Sequence, residues 1–105
     1  MIEVNIKPNE VVITGHSNAT HEGDESLCCS VRTLYYSLVA NLLNVTDRVD
    51  YDGIDGYARV KCKEFSQEVQ GCFKFFEISI KYLADNNPND ITLVNSIVGN
   101  KLSFN

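Results

Sequence analysis

Ile2-Glu3-Val4-Asn5-Ile6-Lys7-Pro8-Asn9-Glu10-Val11-Val12-Ile13-Thr14-Gly15 reads as a β-hairpin, and that reading decides the fold. Residues 2–7 alternate apolar and polar, residues 10–15 are β-branched and short, and Pro8-Asn9 between them is turn chemistry. The period then changes. From Ser26 to Leu43, Leu27, Val31, Leu34, Leu38 and Leu42 fall on one helical face, with Asp24 or Ser26 placed to cap its start. Val49-Asp50-Tyr51 and Tyr57–Cys62 read as a second hairpin, its turn drawn from Asp52-Gly53 and Asp55-Gly56. Ser66 opens a second helix, with Val69, Cys72, Phe73, Phe76, Ile80 and Leu83 spaced for one face. Asn86-Asn87-Pro88-Asn89 ends it, since proline cannot continue the ladder and asparagine tolerates a left-handed cap. Ile91–Val94 is a last strand, followed by a frayed tail to Asn105. The order is ββαββαβ, which predicts an α+β fold: a mainly antiparallel sheet packed with two helices.

Composition supports one domain over residues 1–105. The chain is 44% hydrophobic and 22% charged, a ratio that builds one core and leaves nothing for a second. Nine Lys+Arg against fourteen Asp+Glu give a net charge of −5, which argues against direct nucleic-acid binding, where phosphates must be neutralised. No apolar run approaches the ~18–20 residues of a membrane span, and the N-terminus lacks the form of a signal peptide. A cytoplasmic chain is expected. The sequons at Asn18 and Asn44 then carry no meaning, and the four cysteines are not a disulfide framework.

His16 directly follows Gly15 at the end of the second strand, and Cys28 lies twelve residues on, in or beside the first turn of a helix. A polar, aperiodic loop separates them. The thiolate is the nucleophile, and both a helix N-terminus and a neighbouring imidazolium favour an anion. A carboxylate orienting the imidazole completes such a site, and Glu25 and Asp24 are near in sequence. The same spacing also arises by chance. Cys28 is then a small buried hydrophobe and His16 a polar residue at a strand end. Cys29 is the rival nucleophile, about 100° round the helix from Cys28, so the two cannot share one cleft. Cys72 and Cys62 read as packing residues and His21 as a solvated loop residue. A zinc site from His16, His21, Cys28 and Cys29 lacks the ligand spacing that adjacent cysteines cannot supply, so no metal and no cofactor is expected. Tyr35, Tyr36, Phe73, Phe75 and Phe76 are too many aromatics for one face of each helix. Some of them line a dimer interface or an apolar substrate groove.

Thr14-Gly15-His16-Ser17, followed by Gly23-Asp24-Glu25-Ser26-Leu27-Cys28-Cys29-Ser30-Val31, resembles the signature of the ribosomal-processing cysteine proteases, the Prp or YsxB-like family. That signature is Gly-His-Ala, a short loop, then Gly-x-Asp-Ile-Val-Cys-Ala-Ala-Val-Ser opening a helix. In this register His16 and Cys28 match the family's catalytic pair. Glu25 stands where Asp is usual, Cys29-Ser30 where Ala-Ala is usual, Ser17 for alanine and Arg32 for serine.

The resemblance implies a cysteine endopeptidase working through a Cys-His dyad. His16 takes the Cys28 proton, and backbone N–H groups around Cys28 and Cys29 meet the oxyanion. It implies a homodimer with a mobile loop over residues 17–25, from Ser17 past Gly23. The substrate it implies is the N-terminal extension of large-subunit ribosomal protein twenty-seven, cut after an apolar stretch ending in phenylalanine. The alternatives are a phage-type protease maturing capsid or scaffold protein, or a noncatalytic thiol module for redox sensing or binding. Arg32, one helical turn after Cys28, is placed to face the site and bears on substrate preference.

Overall fold

A computed structural model describes residues 1–15, 24–54 and 56–94. The elements follow the expected order: β1 (Ile2–Lys7), β2 (Glu10–Gly15), α1 (Asp24–Val45), β3 (Val49–Ile54), β4 (Tyr57–Cys62), α2 (Gln67–Asn86) and β5 (Ile91–Val94). The five strands form one sheet in the order β3-β4-β2-β1-β5. Every pairing is antiparallel except β1 with β5, which run parallel with Ile2 opposite Ile91. The parallel pair follows from connectivity, because a strand that returns after a helix lands beside β1 in the same direction.

Period-two alternation sends Ile2, Val4 and Ile6 of β1, Val11 and Ile13 of β2, Val60 and Cys62 of β4, and Ile91 of β5 into the core. Both helices cover that face. From α1 come Val31, Tyr35, Leu38, Val39 and Leu42; from α2 come Val69, Phe73, Phe76, Ile80 and Ala84. The buried stripe of α1 is therefore turned from the expected one. Leu27 and Leu34 are only partly buried, and Tyr35 and Val39 are interior. The reason lies in Leu34, which faces α2 at the helix pair's outer groove with Leu83, leaving the sheet-facing stripe to its neighbours.

Local chemistry explains the ends of these elements. At the first hairpin, proline presets φ and Asn9 takes the left-handed conformation at φ 60. The Asn9 side chain is buried and donates to the carbonyls of Cys62 and Glu64, tying this turn to the exit of β4. Ser66 caps α2 by accepting from the Val69 N–H at 3.2 Å. The stop of α2 differs from the expected left-handed asparagine. Asn87 sits at φ −138 and donates from its side chain to the Leu83 carbonyl at 3.0 Å, while Asn86 donates to the Tyr82 carbonyl at 2.8 Å. Side-chain amides thus occupy carbonyls that the ended helix leaves open.

The second hairpin also departs in one respect. β3 runs through Gly53 to Ile54, and Ile54 pairs with Tyr57. Gly56 has φ 81, as a two-residue turn of this kind demands. Asp52-Gly53 is strand, not turn. Across this hairpin Arg59 reaches Asp50 at 2.9 Å, Asp52 at 3.5 Å and Glu10 at 3.8 Å, lacing three strands together. Its hydrogen bond and charge hold the Asp50 carboxyl below the usual carboxylate range. The expected tail, residues 95–105, lies outside the described residues.

Candidate active site

Gly15 closes β2 with φ +92, in the region that favours glycine. A Cβ there would lie 2.2 Å from the Met1 carbonyl oxygen, and the Gly15 N–H donates to the Gly56 carbonyl at 3.0 Å. Backbone from β1 and from the second hairpin therefore meets at this one residue, immediately before His16. On the other side stands α1. Between them is a cleft of about 320 Å³, walled by Ile2, Ile13, Val31 and Ala58 and by the aromatic and glycine-rich edge of the second hairpin.

Cys28 lines this cleft and is half-buried, whereas Cys29 is exposed and faces a separate hollow between α1 and α2, beside Thr33, Ile78 and Tyr82. One residue on a helix is a 100° rotation, and here that rotation separates the two thiols completely. Cβ atoms on a helix tilt toward its N-terminus, so the Cys28 sulfur leans over the first turn of α1. Arg32, four residues on, lines the same cleft as Cys28.

The helix begins two residues before the expected start. Asp24 and Ser26 thus lie inside its first turn, not at the capping position. Cys28 and Cys29 are then its fifth and sixth residues.

Tyr36, one of the aromatics expected at an interface or groove, and two residues that the sequence did not single out, Ile54 and Tyr57, complete the cleft. Tyr36 stands edge-on to Tyr35, with ring centroids 5.1 Å apart and an interplanar angle of 72°. Tyr36 also comes over Gly53, where a Cβ would lie 3.2 Å from its hydroxyl oxygen. Ile54 and Tyr57, flanking the turn, form the outer rim. Their signal was present in Gly53-Ile54-Asp55-Gly56-Tyr57, but a turn motif says nothing about what lies across from it. Tyr35 has a different role. Its buried hydroxyl donates toward the carbonyls of Asp52 at 3.0 Å and Arg59 at 2.8 Å, fastening α1 to the second hairpin. Burial, with the nearby Tyr36, Asp52 and Tyr51, pushes its phenol up to about 12.

Of the other thiols, Cys62 is buried in the core, and burial together with Cys62 and Glu68 pushes the partly buried Cys72 thiol up. Both behave as packing groups. His16, Ser17, His21 and Gly23 lie outside the described residues, as do the side chains of Asp24 and Glu25.

No family model matches the sequence, and no curated protein matches it. Solved structures do match. The ribosomal processing protease Prp from S. aureus, in complex with a covalently linked product peptide, aligns with a TM-score of 0.74 at 16% identity, covering 89% of this chain and 95% of that one. The same protease with a substrate peptide gives 0.73 at 15%, covering 88% and 94%. The chain has the Prp fold. A Streptococcus mutans protein, SMU.848, aligns at 0.73 with 27% identity, covering 90% of this chain and 92% of that one. Coverage on this scale means that the Prp fold extends over the sheet and both helices, not over one motif.

Proposed function

We propose that this chain is a cysteine endopeptidase of the Prp type, with Cys28 as nucleophile and His16 as general base and acid. The observation that carries the reading is the placement of Cys28, and not Cys29, on a peptide-sized cleft of the Prp fold, opposite the strand end that leads into His16. In the proposed reaction His16 takes the thiol proton and the sulfur bonds to the scissile carbonyl carbon. The oxyanion is met by backbone N–H groups at the start of α1, around Cys28 and Cys29. His16 then protonates the leaving amine as the C–N bond breaks, and water hydrolyses the thioester. Glu25 or Asp24 orients the imidazole.

The apolar and aromatic walls suit the substrate that the family resemblance implies: an apolar stretch ending in phenylalanine, in the N-terminal extension of ribosomal protein twenty-seven. The acidic chain suits a basic ribosomal partner, and the cytoplasm is the compartment that goes with it. Among the described residues no helix is long and apolar enough to cross a membrane. A homodimer is part of the same reading. Its support is the α2 stripe of Phe75, Ile78 and Tyr82, which are 67%, 48% and 70% exposed.

The test is cleavage of extension peptides ending in Phe before a small residue, followed by mass spectrometry. Cys28→Ala should lower cleavage at least roughly a thousandfold, and Cys29→Ala should retain it. Full activity in Cys28→Ala would refute the assignment. Alkylation of Cys28 without any cleavage of ribosomal or phage capsid peptides would instead point to a thiol sensor.

A further inference from the structure

Among the described residues that line the Cys28 cleft, Arg32 alone carries a formal charge; the rest of the wall is apolar, aromatic or glycine. The cation is exposed and makes no ion pair with a described residue. Arg59, by contrast, is engaged by three carboxylates, and Lys81 by Asp85 at 2.9 Å. In a chain of net charge −5, a guanidinium with no acidic partner among the described residues, beside an apolar trough, is a selective feature. A guanidinium presents several N–H donors in a planar fork that fits a carboxylate.

Resting on the protease reading, the geometry points to Arg32 as a specificity residue that binds a carboxylate of the peptide close to the scissile bond. Four residues of helix separate Cys28 from Arg32 by about 6 Å of rise, and both side chains lean the same way along α1. An extended peptide advances about 3.3 Å per residue. The carboxylate that reaches Arg32 therefore lies within about two positions of the cut. It has two possible sources: an Asp or Glu side chain of the substrate, or the new C-terminal carboxylate of the released product. The first makes Arg32 a selector of acidic flanking residues. The second makes it a site of product retention.

The experiment compares a neutral parent peptide with peptides carrying one Glu at each of the two positions on either side of the bond. kcat/KM is measured for the wild type, Arg32→Gln and Arg32→Glu. The wild type should favour the best acidic peptide roughly tenfold, as one charged contact in a partly solvated cleft allows. Arg32→Gln should reduce that ratio to about one, and Arg32→Glu should shift preference to the matching Lys peptide. The product arm compares inhibition by the cleaved peptide as free acid and as amide. Stronger inhibition by the acid, lost in Arg32→Gln, identifies the terminal carboxylate as the ligand.

Equal preferences in wild type and Arg32→Gln, in both arms, overturn the proposal. The same peptides are also titrated by fluorescence anisotropy against Cys28→Ala and Cys28→Ala/Arg32→Gln. Charge preference in binding that depends on Arg32 upholds the proposal even where no peptide is cut, and its absence overturns it. A failed protease reading and a failed role for Arg32 are thus told apart.

Discussion

Tyr35 joins two functions at the scale of one residue, because its ring fills the core while its hydroxyl binds two carbonyls of the hairpin that walls the cleft. Tyr35→Phe should destabilise the fold by about 0.5–1.5 kcal/mol near neutral pH, the net worth of such a hydrogen bond, as read by urea denaturation. The pH dependence has a definite sign. The folded-state pKa, about 12, lies above the ordinary value near 10, so the protonated phenol is favoured by folding. That contribution is complete below about pH 10 and is lost as pH rises toward about 12. The stability gap between wild type and Tyr35→Phe should therefore narrow across that window; a constant gap would contradict the environment described. The role of Tyr35 was not legible in advance. An aromatic residue beside another on a helix has the same letter whether it faces core or cleft, and which one turns inward depends on where α2 packs. The separation of Cys28 from Cys29 was legible, because helical geometry alone dictates a 100° offset.

At the scale of elements, two of the glycines at the cleft edge, Gly15 and Gly53, can be tested by adding a single methyl. Gly15→Ala places a Cβ against the Met1 carbonyl in a backbone conformation that alanine resists, so a loss of about 2–4 kcal/mol is expected in thermal or urea unfolding. Gly53→Ala meets only the hydroxyl end of Tyr36, which is about half exposed and free to swing away. Stability should change by less than about 1 kcal/mol, while the displaced ring alters the trough, read as a raised KM for the Phe-ending peptide. The contrast checks the geometry, since one glycine is held by backbone and the other by a movable side chain. Hairpins, helix starts and the ββαββαβ order were readable from alternation, period and turn residues. The errors came where two motifs competed. Asp52-Gly53 and Asp55-Gly56 are equal as turn signals, and only the strand register of Ile54 with Tyr57 chooses between them. α1 starts two residues before Ser26 for a similar reason, as Asp24 and Ser26 are both good capping types and also acceptable in a first turn.

The whole molecule presents one covered sheet face and an outer helix surface bearing Phe75, Ile78 and Tyr82. If two copies pair through that surface, sedimentation should give twice the chain mass, and Ile78→Asp should return it to one. A wild type that sediments as a single chain would remove the dimer from the proposal. The sheet carries a further consequence. β1 pairs with β2 across the short Pro8-Asn9 turn but also with β5, and the Ile2 N–H donates to the Asp90 carbonyl at 2.7 Å. Both hairpins are local and can form early, whereas the parallel pair closes a loop of almost the entire chain and must wait for it. During synthesis β1 therefore remains an open edge until the last strand leaves the ribosome, a long exposure for an apolar strand. Pulse-labelled hydrogen exchange during refolding should find the β1 amides that face β5 protected after those that face β2.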